Sequence, residues 1–159
     1  MRSTNAQPGP LIIGYGNPLR GDDAVGYLAA EQLRALVAGR NVEVLAVHQL
    51  TPELAEPISR AARVIFIDAA LSGESGRSLV PDARALTHHC TPEALLALSL
   101  RLFGRAPEAT LYSIPASSFE LGAELTPEVA KSLQSLVDAL AIELSCIETG
   151  EPGPSQGML

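Results

Sequence analysis

Runs that are apolar at every position alternate along this chain with helix-start signals, and few architectures accept that alternation. Leu11–Gly14 and Val64–Ile67 contain no polar residue, the mark of strands covered on both faces. Val42–Val47 alternates, Ala109–Ile114 is a further strand, and Ser78–Val80 reads as an edge strand. Helices lie between them. One runs from about Asp23 to Val37, with Gly39 placed for a C-cap. A second opens at Thr51-Pro52-Glu53-Leu54 and is shortened or kinked by Pro57. A third runs from Thr91-Pro92-Glu93 to Phe103, ended by Gly104, and a last from Thr126-Pro127-Glu128 to Cys146. A threonine cap, a first-turn proline and an acid make a helix start. Strands interleaved with helices imply crossover connections and a largely parallel sheet, so the fold class is α/β, a sandwich with helices on the sheet.

At 159 residues the chain suits one domain. Its expected extent is 10–147, with a disordered lead-in over 1–9 and a disordered tail over 148–159, rich in Gly, Pro and Ser. Few residues are aromatic and none is Trp, so Ala, Leu and Val fill the core. A formal charge of -7 argues against nucleic acid or an anionic membrane as partner, because both demand clustered cations. Cys90 and Cys146 form neither a disulfide framework nor a CxxC pair, which makes a reducing cytoplasm the expected compartment. No apolar run reaches membrane-spanning length.

Chemistry concentrates where the first strand ends. Gly14-Tyr15-Gly16-Asn17-Pro18 turns the chain and delivers Asp22 and Asp23 to the start of a helix. Carboxylates are stabilised there by free amide donors and the helix dipole. One aspartate suffices as a cap, so the second is surplus, and open α/β sheets build ligand sites at that edge. Asp68 ends the third strand and His88 and His89 precede a helix, so all of these fall at or near the carboxyl edge. Two carboxylates and an imidazole suit a divalent transition metal. Plainer readings stand beside this one. Asp22 serves as an N-cap, Asp23 as first-turn electrostatics, and Asp68 caps the loop after its strand. His48 is a semi-buried strand-end histidine, and Cys90 a small buried hydrophobe rather than a nucleophile. A phosphate cradle at Gly14 and Gly16 is disfavoured, since Asp22 and Asp23 would repel the phosphate and no P-loop lysine follows.

The pattern Gly14-x-Gly16-Asn17-x-Leu19-x-x-Asp22-Asp23-x-x-Gly26 resembles the opening motif of the hydrogenase maturation endopeptidases. The likeness continues through His48-Gln49-Leu50-Thr51-Pro52-Glu53-Leu54, Ile67-Asp68-Ala69, Thr87-His88-His89-Cys90, Ser118-Phe119-Glu120-Leu121-Gly122 and Leu125-Thr126-Pro127-Glu128-Val129. It covers roughly residues 11–145. The resemblance implies a three-layer sandwich with a twisted, mostly parallel five-stranded sheet between helices. It also implies a cytoplasmic protease that trims the C-terminus of a nickel-iron hydrogenase large-subunit precursor. Its metal-contacting positions fall on Asp23, Asp68 and His88, or on His89 if the register is counted back from Gly104 rather than from Leu96. Family members often carry glutamate at the position of Asp23. Nickel would arrive with the substrate precursor rather than as a resident cofactor, and Asp23 and Asp68 would carry catalysis. Gly14, Gly16, Asn17 and Asp22 would support the loop, and the protein would act as a monomer. An alternative on the same scaffold is a noncatalytic nickel-sensing chaperone that binds the large subunit without cutting it. A flavodoxin-like ligand-binding domain is a third reading.

Overall fold

A computed structural model describes residues 7–71, 76–85 and 90–146. The strands are β1 (Leu11–Tyr15), β2 (Glu43–Val47), β3 (Arg63–Ala70), β4 (Arg77–Leu79) and β5 (Glu108–Pro115). The helices are α1 (Val25–Leu36), α2 (Ala55–Arg60), α3 (Pro92–Phe103) and α4 (Pro127–Ser145). The sheet has five strands in the order β2-β1-β3-β5-β4. All neighbours pair in parallel except β4, which joins β5 antiparallel at the edge. The three-layer α/β sandwich expected from the sequence is therefore present.

Alternation along the central strands feeds two cores. Ile12, Ile65, Ile67 and Ile114 pack with α1 and α4 on one face. Leu11, Ile13, Val64, Phe66 and Leu111 pack with Leu54, Ile58, Leu95 and Leu96 on the other. Strands covered on both faces have no polar side to offer, which is why Leu11–Gly14 of β1 and Val64–Ile67 of β3 read as unbroken apolar runs. Among the described residues no helix is long and apolar enough to cross a membrane.

Glycines let α1 sit directly on the sheet. A Cβ at Gly26 would lie 2.4 Å from the carbonyl oxygens of both Tyr15 and Ile67. A Cβ at Gly14 would lie 2.1 Å from the Gly26 oxygen. Both clashes are with backbone, so relief means moving the helix. Gly26→Ala is expected to cost about 3 kcal/mol, at the upper end for overpacking, read as a lower urea midpoint with unchanged slope.

The structure differs from expectation in several local details. The helix expected from Asp23 begins as a 3-10 turn over Gly21–Ala24 before α1. The helix expected at Thr51 is likewise a 3-10 turn, Pro52–Leu54, leading into the six-residue α2. Of the three threonine starts only Thr91 caps with its side chain, accepting from the Ala94 N–H at 3.1 Å. β3 continues two residues beyond Asp68 because β5 keeps pairing with it to Pro115. Gln7 and Gly9, in the stretch read as lead-in, are bonded to the body: their carbonyls accept from Asn41 Nδ2 and the Ala62 N–H. The expected tail falls outside the described residues.

Candidate active site

Three side chains form a row across the carboxyl end of the sheet. Asp68 faces Ser113 in the β3–β5 register. On its other side β1 and β3 pair through Gly14 and Ile67, one step before Tyr15 and Asp68. All three project to the face that α2 and α3 cover, since their positions share parity with Ile13, Phe66 and Leu111. Tyr15 Oη donates to Asp68 Oδ2 at 2.9 Å, and Ser113 Oγ donates to Asp68 Oδ1 at 2.7 Å. Burial pushes the Asp68 carboxyl above its ordinary range, outweighing the bonds from Ser113 and Tyr15 and the nearby Arg77 guanidinium. Burial, with the adjacent Asp68 charge, also pushes the Tyr15 phenol up, so it stays a donor. Arg77 in turn pairs with Glu93 at 3.1 Å.

Asp22 and Asp23 are neighbours with different work. Asp22 is fully buried. One oxygen, Oδ2, accepts from the N–H groups of Ser117 and Ser118, both at 2.9 Å. The other, Oδ1, accepts from the Thr126 N–H at 2.8 Å. The hydroxyls of Ser117 and Thr126 add longer bonds. Burial opposes the charge, but these donors prevail and hold the Asp22 carboxyl below its ordinary range. Its backbone N–H meanwhile donates to Ser118 O at 2.7 Å. Asp22 is therefore not the N-cap of the following helix: it bolts the β1–α1 turn to the segment between β5 and α4.

Asp23 is half-buried and faces its own turn. Its Oδ2 accepts from the Asn17 N–H at 2.9 Å, and its other oxygen takes no bond from the described residues. Asn17 Oδ1 accepts from the Leu19 N–H at 2.9 Å, so Asn17 satisfies turn backbone. Gly16, with φ 150°, lets the chain pass where a Cβ would lie 2.0 Å from the Asp23 carbonyl oxygen. Gly14 serves the packing of α1 as described above, and no phosphate cradle is needed to explain either glycine.

The structure thus brings Asp23 and Asp68 to the same edge of the sheet. His88 and His89 lie outside the described residues. Among the described residues no three His, Cys, Asp or Glu side chains gather as a metal cluster. His48 is exposed rather than semi-buried, its ring edge-on to Tyr27 at 5.4 Å between centroids. Cys90 is half-buried against the α2–α3 core, and burial followed by the Glu53 charge raises its thiol. That is the opposite of what a thiolate nucleophile requires. Tyr15 and Ser113 were not singled out from the sequence. The available signal was a polar-tipped side chain just past an apolar run, and a serine interrupting one.

The same arrangement of strands, helices and turns occurs in known proteins. A [NiFe] hydrogenase maturation protease, HycI from Thermococcus kodakarensis, superposes with a TM-score of 0.68 at 24% identity, over 89% of this chain and 95% of that one. The hydrogenase maturating endopeptidase HybD from E. coli gives a TM-score of 0.66 at 25% identity, covering 86% of this chain and 91% of its own. The chain has the hydrogenase maturation protease fold. A hydrogenase 2 maturation peptidase from a Thaumarchaeota archaeon also shares this maturation-protease fold, with a TM-score of 0.61 at 25% identity, covering 86% and 97% of the two chains. No protein-family model and no curated protein sequence matches the chain. The family resemblance read from the sequence is thus borne out at the level of the fold.

Proposed function

We propose that this protein is an endopeptidase that removes the C-terminal peptide of a nickel-iron hydrogenase large-subunit precursor after nickel has been inserted. The observation that carries the reading is the pair Asp23 and Asp68 at one sheet edge, on a fold shared with hydrogenase maturation proteases. Asp23, Asp68 and a histidine of the His88–His89 pair are the groups assigned to meet the substrate's nickel. Carboxylate oxygens and an imidazole nitrogen suit a divalent ion of that kind. Because the ion comes with the precursor, this chain need not encode a complete coordination shell.

Hydrolysis then needs water added to the scissile carbonyl, cleavage of the C–N bond and a proton delivered to the leaving amine. A carboxylate of the pair can take the water's proton and pass it on. The substrate's nickel can polarise the carbonyl or acidify the water. An edge that completes the ion's coordination also proofreads, since a precursor without nickel would bind unproductively. The setting is the cytoplasm, and the partner is the large-subunit precursor met by a monomer.

Intact-mass analysis after mixing the protein with nickel-loaded precursor tests the activity. Loss of a C-terminal peptide is the expected result. Binding without mass loss would instead make the protein a nickel-sensing chaperone. Cys90→Ala is expected to cleave at the wild-type rate, because the raised, half-buried thiol has no part in the chemistry. A large rate loss in that variant would point to a cysteine mechanism.

A further inference from the structure

We propose that Tyr15 and Ser113 are positioning residues for Asp68, a two-hydroxyl clamp that fixes the orientation in which its carboxylate meets the substrate. This rests on the endopeptidase reading above. The clamp follows from register. β1, β3 and β5 are adjacent and parallel, and Tyr15, Asp68 and Ser113 stand side by side across them on the α2–α3 face. Each Asp68 oxygen accepts from a different strand, Oδ2 from Tyr15 at 2.9 Å and Oδ1 from Ser113 at 2.7 Å.

A carboxylate offers about four lone-pair sites, two on each oxygen. The clamp uses one on each oxygen and leaves one on each for a ligand or a proton in transit. Turning the carboxylate about its Cβ–Cγ bond would break both hydrogen bonds at once. Neither hydroxyl moves easily. Ser113 is buried on a strand paired along its whole length with β3, and the Tyr15 ring packs against the α2–α3 core. Groups that orient a reacting carboxylate act by pre-organisation, and small errors in such placement are costly to rate. Asp23 is held differently, by one backbone N–H from its own turn. The rigid member of the pair is thus Asp68, carried on the central strand.

The test is a saturation series for peptide release from nickel-loaded precursor by wild type, Tyr15→Phe, Ser113→Ala and Ser113→Thr, each well below its melting temperature. Tyr15→Phe and Ser113→Ala are expected to lower kcat about tenfold to a hundredfold, the range seen when partners of a liganding group are removed, with KM changed far less. Ser113→Thr restores a hydroxyl on a side chain suited to a strand and is expected to recover most of the Ser113→Ala loss. Wild-type kcat in Tyr15→Phe, or no recovery in Ser113→Thr, would overturn the clamp while wild-type cleavage upholds the endopeptidase. If wild type binds without cutting, the endopeptidase reading fails. The clamp is then judged by preference for nickel-loaded over nickel-free precursor, which should fall about tenfold in Tyr15→Phe. An unchanged preference overturns it.

Discussion

Asp22→Ala is expected to destabilise the protein by about 3 to 5 kcal/mol, because it strips several donors of a buried charged acceptor at once. The N–H groups of Ser117, Ser118 and Thr126 all converge on that carboxylate. Against a typical total of about 5 to 15 kcal/mol the loss is large. It should appear in urea as a midpoint lowered by about 2 M for a typical slope. Asp22→Asn keeps the size but turns an acceptor into a donor facing donors, so an intermediate loss is expected. A midpoint within error of wild type in both variants would show that water replaces the bolt at no cost.

The pH dependence has a definite sign. The folded-state value of Asp22 lies below its unfolded one, so its contribution is complete above the unfolded carboxyl value of about 3.9. It is lost as pH falls through the lower folded value. The stability gap between wild type and Asp22→Asn should therefore narrow on acidification below about pH 4.

Asp68→Asn is expected to behave in the opposite way: severe loss of cleavage, about a hundredfold or more, the scale on which removal of a general base acts, with no loss of stability at neutral pH. The folded-state value of Asp68 is raised, chiefly by burial. Its favourable contribution is thus present below the unfolded value near 3.9 and lost as pH rises through the folded one. At neutral pH the charged form is a burden on the fold. The neutral amide removes that burden, and the Tyr15 and Ser113 hydroxyls can still bond to it. Thermal melts and peptide-release rates on the same preparation check both halves. A variant that melts much lower, or that keeps its rate, contradicts the assignment. Residues retained against stability are often those that work.

The fold was legible because its signals are local. Apolar runs such as Val64–Ile67 and helix starts such as Thr91-Pro92-Glu93 declare themselves within a few residues, and the alternation limits the topology. Asp23 and Asp68 were legible as candidates because Asp23 is a second acid where one cap suffices and Asp68 is a charge that closes an apolar run. The cap reading of Asp22 fails and its loop-support reading holds, but the partners that give that support, Ser117, Ser118 and Thr126, lie 95 to 104 residues away. No periodicity reports a contact of that range. Tyr15 and Ser113 escaped for a related reason. Each is unremarkable in its own segment, and the row appears only once β1, β3 and β5 are aligned in register. The 3-10 turn before α1 was hidden because acids in a first turn mark a 3-10 start and an α-helix start alike.

The most direct measurement compares nickel-loaded with nickel-free large-subunit precursor, each incubated with the wild-type protein and followed by intact mass. Loss of a C-terminal peptide from the nickel-loaded form alone is the expected result. Equal cleavage of both forms, or of neither, would contradict an edge built around Asp23 and Asp68 to act only where the substrate brings its metal.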